Sequence, residues 1–181
     1  VRDDVQSGMA QVQGMGVDKA HAAAIIASAI RESGMNPGAV GDNGKAYGLF
    51  QFHADRQADF RKVMGRDIRG SSASEQLEYM YRSMQAGGEE AGPGKAFWAS
   101  SGKDAARVFS DKIERPADKG KEGDIRSGIA ESLGDVNITL HQTITTPGGQ
   151  SKTKTLTAKV SKPAAHGSTY KLAIPQTDTG N

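Results

Sequence analysis

A chain of 181 residues holds one domain of ordinary size plus an appendage, with enough length to bury a real core. Its 36% apolar and 24% charged residues exclude a membrane-embedded or a disordered composition, and the absence of cysteine excludes disulfides and thiolate metal sites. A formal net charge of +2 eases approach to anionic cell-wall polymers, but no arginine-rich or aromatic-interleaved stripe points to nucleic acid.

The N-terminus Val-Arg-Asp-Asp carries neither an initiator Met nor an apolar signal region, which reads as a processed product or a fragment of a longer protein. The longest strongly apolar stretch, Ala22 to Ile26, is far too short to cross a bilayer, so no membrane span is expected. A first, weakly amphipathic helix is predicted from Asp3 to Gln13, with Val5, Met9 and Val12 at helical spacing. Asp18 is an N-cap for the next helix. There Ala22, Ile25, Ile26, Ala29 and Ile30 recur at three- and four-residue spacing and mark a buried stripe. Gly34 fits the left-handed stop, and Asn36-Pro37 with Asp42-Asn43-Gly44 makes 35–46 a loop.

The stretch from Tyr47 to Phe52 is too short to decide between a strand and a helical turn. Helices are predicted at 55–64, 74–85, 103–113 and 124–133, and in the second of these Leu77, Met80, Tyr81 and Met84 keep the helical period. Gly87-Gly88 and Gly92-Pro93-Gly94 read as the brackets of a flexible connection. Composition shifts near Gly134: from there on Arg, Phe and Trp are missing and threonine is frequent. Val136, Ile138 and Leu140, then Leu156, Ala158 and Val160, alternate as in two strands around a Pro147-Gly148-Gly149 turn. The organisation expected is a mainly α domain at 1–134 and a threonine-rich, β-prone extension at 135–181. An isolated hairpin is marginal in water, so the extension calls for a partner surface.

Glu32 is the residue that stands out. It lies seven residues after Ile25 and three after Ala29, hence on the buried face at the C-terminal end of its helix. Burial and the negative end of the helix dipole both disfavour a carboxylate there, so a raised pKa is expected. A carboxyl still protonated near neutral pH can protonate a leaving glycosidic oxygen. The plain alternative is a helix-end glutamate paired with Arg31 or another cation.

The surrounding residues favour the first reading. Glu32-Ser33-Gly34 with Asn36-Pro37, then Gly41-Asp42, Gly44, Ala46-Tyr47-Gly48-Leu49 and Gln51, in that order and spacing, resemble the lysozyme-like peptidoglycan hydrolases. The likeness is strongest to phage tail-associated lysozymes, which also share Glu114-Arg115-Pro116, and more distant to goose-type lysozymes and lytic transglycosylases. It covers residues 18 to 133. The resemblance implies a lysozyme-like helical fold, Glu32 as proton donor and Asp42 as the residue that positions water. A second goose-type aspartate falls on position 53, which is His53 here, so water activation rests on Asp42 or on neither residue.

Ser33, Tyr47, Gln51, His53, Arg56 and Trp98 are candidates for lining the sugar subsites. Tyr47 and Trp98 can equally fill the core, Gln51 can be a satisfied buried amide, and His53 and Arg56 can be surface groups. Glu114 and Arg115 read as a structural pair, and Glu131-Ser132-Leu133-Gly134 as a helix end. His21, His53, His141 and His166 are too scattered for a metal site, and no cofactor is expected. The substrate implied is the glycan strand of peptidoglycan, cleaved between N-acetylmuramic acid and N-acetylglucosamine by hydrolysis or by transglycosylation. The phage likeness implies a virion component, in the tail or internal, that acts on the wall in the periplasm during genome entry and meets other tail proteins through the extension. A non-catalytic wall-binding or assembly module on the same scaffold is the rival.

Overall fold

Asp18 accepts hydrogen bonds from the backbone N–H groups of Ala20 and His21, at 3.0 and 3.2 Å, and so starts helix α2, Lys19–Ser33. The computed structural model describes residues 2–102, 104–134, 136–145 and 151–160. Nine consecutive residues of α2, His21 to Ala29, are buried. The apolar stripe read from the sequence is thus only one side of a helix enclosed all round, because alanines on the other faces let neighbours approach closely. Ile30 is half-buried. Helix α1, Arg2–Gly14, packs on α2 through Gly8, where an added Cβ would lie 2.9 Å from Ile26 Cδ1. At the other end Gly34, with φ of 63°, closes α2, and Met35 N–H reaches the Ala29 carbonyl at 3.3 Å.

The undecided stretch after the loop is a short hairpin. Strand β1, Val40–Gly41, pairs antiparallel with β2, Ala46–Tyr47, across a 3₁₀ turn at Asp42–Gly44. Helices α3, Ala54–Met64, and α4, Ala73–Ser83, follow close to the predicted bounds, the latter with a complete Ser72–Glu75 capping box. The core gathers Phe50, Phe52, Phe60, Leu77, Tyr79, Phe97 and Phe109 around α2.

The predicted flexible connection at Gly92-Pro93-Gly94 is instead the start of helix α5, Ala91–Trp98. Pro93 sits in the first turn, where its missing N–H would have had no intrahelical partner. Gly94 is buried because the helix runs against the backbone of Met84, where a Cβ would lie 2.8 Å from Met84 Cα. Helix propensity alone predicts that Gly94→Ala gains up to about 1 kcal/mol. The close backbone approach reverses the sign, since neither segment can yield as a side chain would. Gly94→Ala is expected to lower stability by about 1–3 kcal/mol in thermal or urea unfolding.

The helix predicted at 103–113 divides into α6, Ala105–Phe109, and a π-helical turn at Ser110–Glu114, closed by Arg115 in the left-handed region at φ 54°. Helix α7 runs Lys119–Gly134, longer than predicted at its start, and Glu131 to Gly134 form its last turn. Cα proximity divides the chain into two units at Leu133 and Gly134. In the second, β3, Val136–Thr145, pairs antiparallel with β4, Ser151–Val160, in a register that sets Val136, Ile138 and Leu140 opposite Val160, Ala158 and Leu156. The predicted Pro147-Gly148-Gly149 turn and the chain from 161 onward, His166 included, lie outside the described residues. Among the described residues no helix is long and apolar enough to cross a membrane.

Candidate active site

The loop after α2 is held by three polar side chains. Gln76, fully buried on α4, accepts from Leu49 N–H at 2.8 Å and donates to the Pro37 carbonyl at 2.9 Å and the Ser71 hydroxyl at 3.0 Å. Gly48 must be glycine: its φ is 84°, and a Cβ would run into the Gln76 amide. Ser33 reaches the carbonyls of Ala29 and Leu49, each at 3.0 Å, and so ties the end of α2 to the same loop. Gln51, itself at φ 47°, donates to the Gly48 carbonyl at 2.9 Å. Two of the predicted sugar contacts, Ser33 and Gln51, therefore hold the loop in shape, although Gln51 also lines the cleft described below.

Tyr47 and Trp98 point elsewhere. Tyr47 is buried beneath the Arg69 guanidinium, 4.8 Å from its ring, and Trp98 packs on Phe97, Tyr81 and His21 with its indole N–H on the Met84 carbonyl at 3.3 Å. Neither borders the cleft that contains Glu32. The aromatic side chains were legible as large apolar groups, but whether such a ring faces a sugar or the core depends on tertiary packing.

Glu32 stands where two hollows of about 360 Å³ each meet, and Pro116 is the other residue they share. The first hollow takes in Gln51, His53, Asp55, Arg56 and Glu114; the second takes in Arg31, Asp118, Glu122 and Arg126. The side chain of Glu32 is 26% exposed, and its Oε1 accepts from the guanidinium of Arg126, which is 1% exposed. Arg126 also bonds Glu122 at 2.7 Å, and Glu122 accepts from Nε and one terminal nitrogen of Arg31 at 3.0 and 2.8 Å. The helix-end glutamate is therefore neither fully enclosed nor alone, and the cation beside it is Arg126 of α7, not Arg31.

Asp42 and Asn43 both have left-handed backbone, at φ 46° and 52°, a conformation that short polar side chains tolerate best after glycine. The turn leaves Asp42 more than half exposed, with its carboxylate 3.8 Å from His53 Nδ1. His53 borders the cleft; Asp42 does not. Arg56 lines the cleft wall, but its guanidinium is engaged by the buried Glu90, at 2.6 and 3.1 Å, and by the Ile113 carbonyl.

The expected Glu114–Arg115 pair is not formed. Neighbours in a helix do not face each other, and the π turn followed by left-handed Arg115 parts them further. Arg115 bonds Glu90 and the Lys112 carbonyl, while Glu114 lies on the cleft wall with Oε1 enclosed and without a hydrogen-bond partner. Burial pushes the Glu114 carboxyl up to about 8, against the pull of Arg56 and Arg126 and with the help of Glu32 and Glu90. Sequence reading missed Arg126, Glu90, Asp55 and the setting of Glu114. Only Glu114 lay inside a recognised motif, and nothing in the local pattern distinguishes Arg126 from the exposed arginines.

Among the described residues no group of His, Asp and Glu is arranged to hold a metal ion. The chemistry on offer is that of carboxyls and guanidinium groups lining the two hollows that meet at Glu32. Compared with known protein families, residues 5–136 match the family described as phage tail lysozyme. The chain belongs to the phage tail lysozymes. Membership gives the helical unit its class, a lysozyme-like domain, and its activity, lysis of peptidoglycan by a lysozyme-type enzyme associated with the phage tail. No individually curated protein matches the chain. In this phage tail lysozyme Glu32 lies at the end of a buried helix and borders both hollows.

Proposed function

We propose that this phage tail lysozyme cleaves the β-1,4 bond between N-acetylmuramic acid and N-acetylglucosamine, with Glu32 protonating the leaving glycosidic oxygen. The observation that carries the reading is the junction at Glu32. A carboxyl fixed at the end of a rigid helix and held through one oxygen by Arg126 borders both hollows that a glycan strand would occupy. The enzyme acts as a virion component that opens the wall in the periplasm during genome entry, and the extension after 134 docks against other tail proteins.

In the hydrolytic form of the reaction Asp42 positions the attacking water. A second reading, lytic transglycosylation by Glu32 alone, is favoured by one observation: Asp42 stands outside the cleft, exposed and facing His53. Mass spectrometry of digested sacculi separates them. Hydrolysis gives reducing-end muropeptides that Asp42→Asn diminishes, and transglycosylation gives 1,6-anhydro products whatever stands at position 42. A Glu32→Gln enzyme is expected to release neither. A variant that still cleared a peptidoglycan zymogram would overturn Glu32 as the donor, and an unmodified protein that cleared nothing would leave only the wall-binding role.

A further inference from the structure

The mechanism built on Glu32 makes no use of Glu114, yet the fold places that residue with care. It ends the π-helical turn Ser110–Glu114, an element in which the Arg115 N–H reaches back to the Ser110 carbonyl at 2.8 Å. Single π turns inside helices recur at functional sites, because the extra residue re-aims a side chain that an α-helix would direct elsewhere. Here the re-aimed side chain reaches the wall of the Glu32 cleft with Oε1 enclosed and unpartnered.

The cations that act on it, Arg56 and Arg126, already hold other groups. Arg56 from α3 is engaged by Glu90 and the Ile113 carbonyl, and Arg126 from α7 by Glu32 and Glu122. Arg115 turns to Glu90. Glu32 from α2 and Glu90 ahead of α5 are like charges, His53 and Asp55 at the start of α3 border the same cleft, and Asp111 on the π turn has its own Oδ1 enclosed without a partner. A carboxylate at position 114 would therefore draw on Arg56 against Glu90, or on the enclosed, unpartnered Nε of Arg126 and so turn that guanidinium away from Glu32. A neutral carboxyl competes for neither.

We propose that Glu114 is a positioning residue which must stay neutral for cleavage, because its anion would draw Arg126 away from Glu32 and so set the alkaline limit of the enzyme. Burial already holds the proton there through neutral pH. The inference rests on Glu32 being the proton donor. It adds that the donor's orientation depends on the protonation of a second carboxyl on the cleft wall.

The test is the pH profile of wall lysis by the full chain, unmodified and as Glu114→Gln, together with a carboxyl ¹³C NMR titration of the unmodified protein. The amide mimics the neutral acid, and each profile is read relative to its own rate at pH 6. From pH 7 to 9 the unmodified enzyme should fall at least tenfold further than the variant, a drop in kcat more than in KM. The NMR titration should show one carboxyl with a midpoint above 7 that is absent from Glu114→Gln. An identical alkaline limb in both proteins would overturn the proposal, as would a Glu114 resonance that titrates near 4, and the latter holds even if the variant folds poorly. Glu32→Gln separates the two layers. If it is inactive while the alkaline limbs coincide, Glu32 stands and the role of Glu114 falls. If it stays active, the donor assignment falls.

Discussion

Breaking the Glu32–Arg126 pair from its two ends is expected to give opposite signatures. Glu32→Gln should lower turnover about 10²- to 10⁴-fold, the range a positioned general acid contributes, with little change in the unfolding midpoint. Arg126 keeps Glu122 as a partner in that variant, so no buried charge is stranded. Arg126→Met removes a guanidinium that is 1% exposed and leaves two partly enclosed carboxylates, Glu32 and Glu122, without it. Removing one member of a buried pair costs about 3–5 kcal/mol, and the partial exposure of both partners puts this case toward the lower figure. Turnover should fall as well, by about 10²-fold, because Glu32 loses the group that fixes it. Urea unfolding and turbidity loss of a wall suspension measure the two effects. An Arg126→Met protein with unchanged rate would mean that Glu32 is held by the helix end alone.

That asymmetry follows from how α7 is attached. The helix is only weakly amphipathic, and its inward face carries Arg126 where an aliphatic residue would be usual. The chain of pairs from Arg31 through Glu122 and Arg126 to Glu32 therefore joins α2 to α7 by charge. Such a link is weak evidence for stability but strongly directional, and direction is what a proton donor needs.

What the sequence disclosed follows the same division. Asp18, the apolar spacing of α2 and Gly34 made the central helix and its two ends legible, because caps and periodicity are local properties. The glycine loop was legible as a motif, and Gly48 has the reason a motif glycine should have, a left-handed backbone against another side chain. Helix α5 was hidden because Gly92-Pro93-Gly94 is a breaker by propensity, and only the backbone of Met84 explains why glycine belongs there. The sequence placed Glu32 on the buried face of its helix, and the side chain is 26% exposed there. Enclosure is a tertiary property, and at half-buried Glu114 it falls on Oε1, brought in by a π turn that no periodicity announces. Arg126 and Glu90 were invisible for the same reason: each is buried where it meets a partner from a distant element, Glu32 for Arg126 and Arg56 and Arg115 for Glu90.

Glu114 also ties the stability of the fold to pH, with a sign that can be worked out. Its carboxyl is pushed up by burial from 4.5 to about 8 in the folded protein. Below the lower value both folded and unfolded chains carry the proton, and the group exerts no pH-dependent effect. Between the two values the unfolded chain has released a proton that the folded chain still binds, so stability falls as pH rises, by up to about 1.4 kcal/mol per pH unit. Above the folded value both are ionised and the loss levels off. Glu114→Gln cannot ionise and escapes that loss. The variant is therefore expected to match the unmodified protein in urea unfolding at pH 4 and to exceed it by a few kcal/mol at pH 8–9. Other carboxylates work in the opposite direction: those of Asp67 and Glu75 lie below their ordinary values because hydrogen bonds favour the charged form, so their contributions are lost in acid. They are common to both proteins and cancel in the difference. A difference that stayed constant from pH 4 to 9 would mean that Glu114 ionises in the fold as it does in the unfolded chain, and the neutral carboxyl in the cleft would have to be given up.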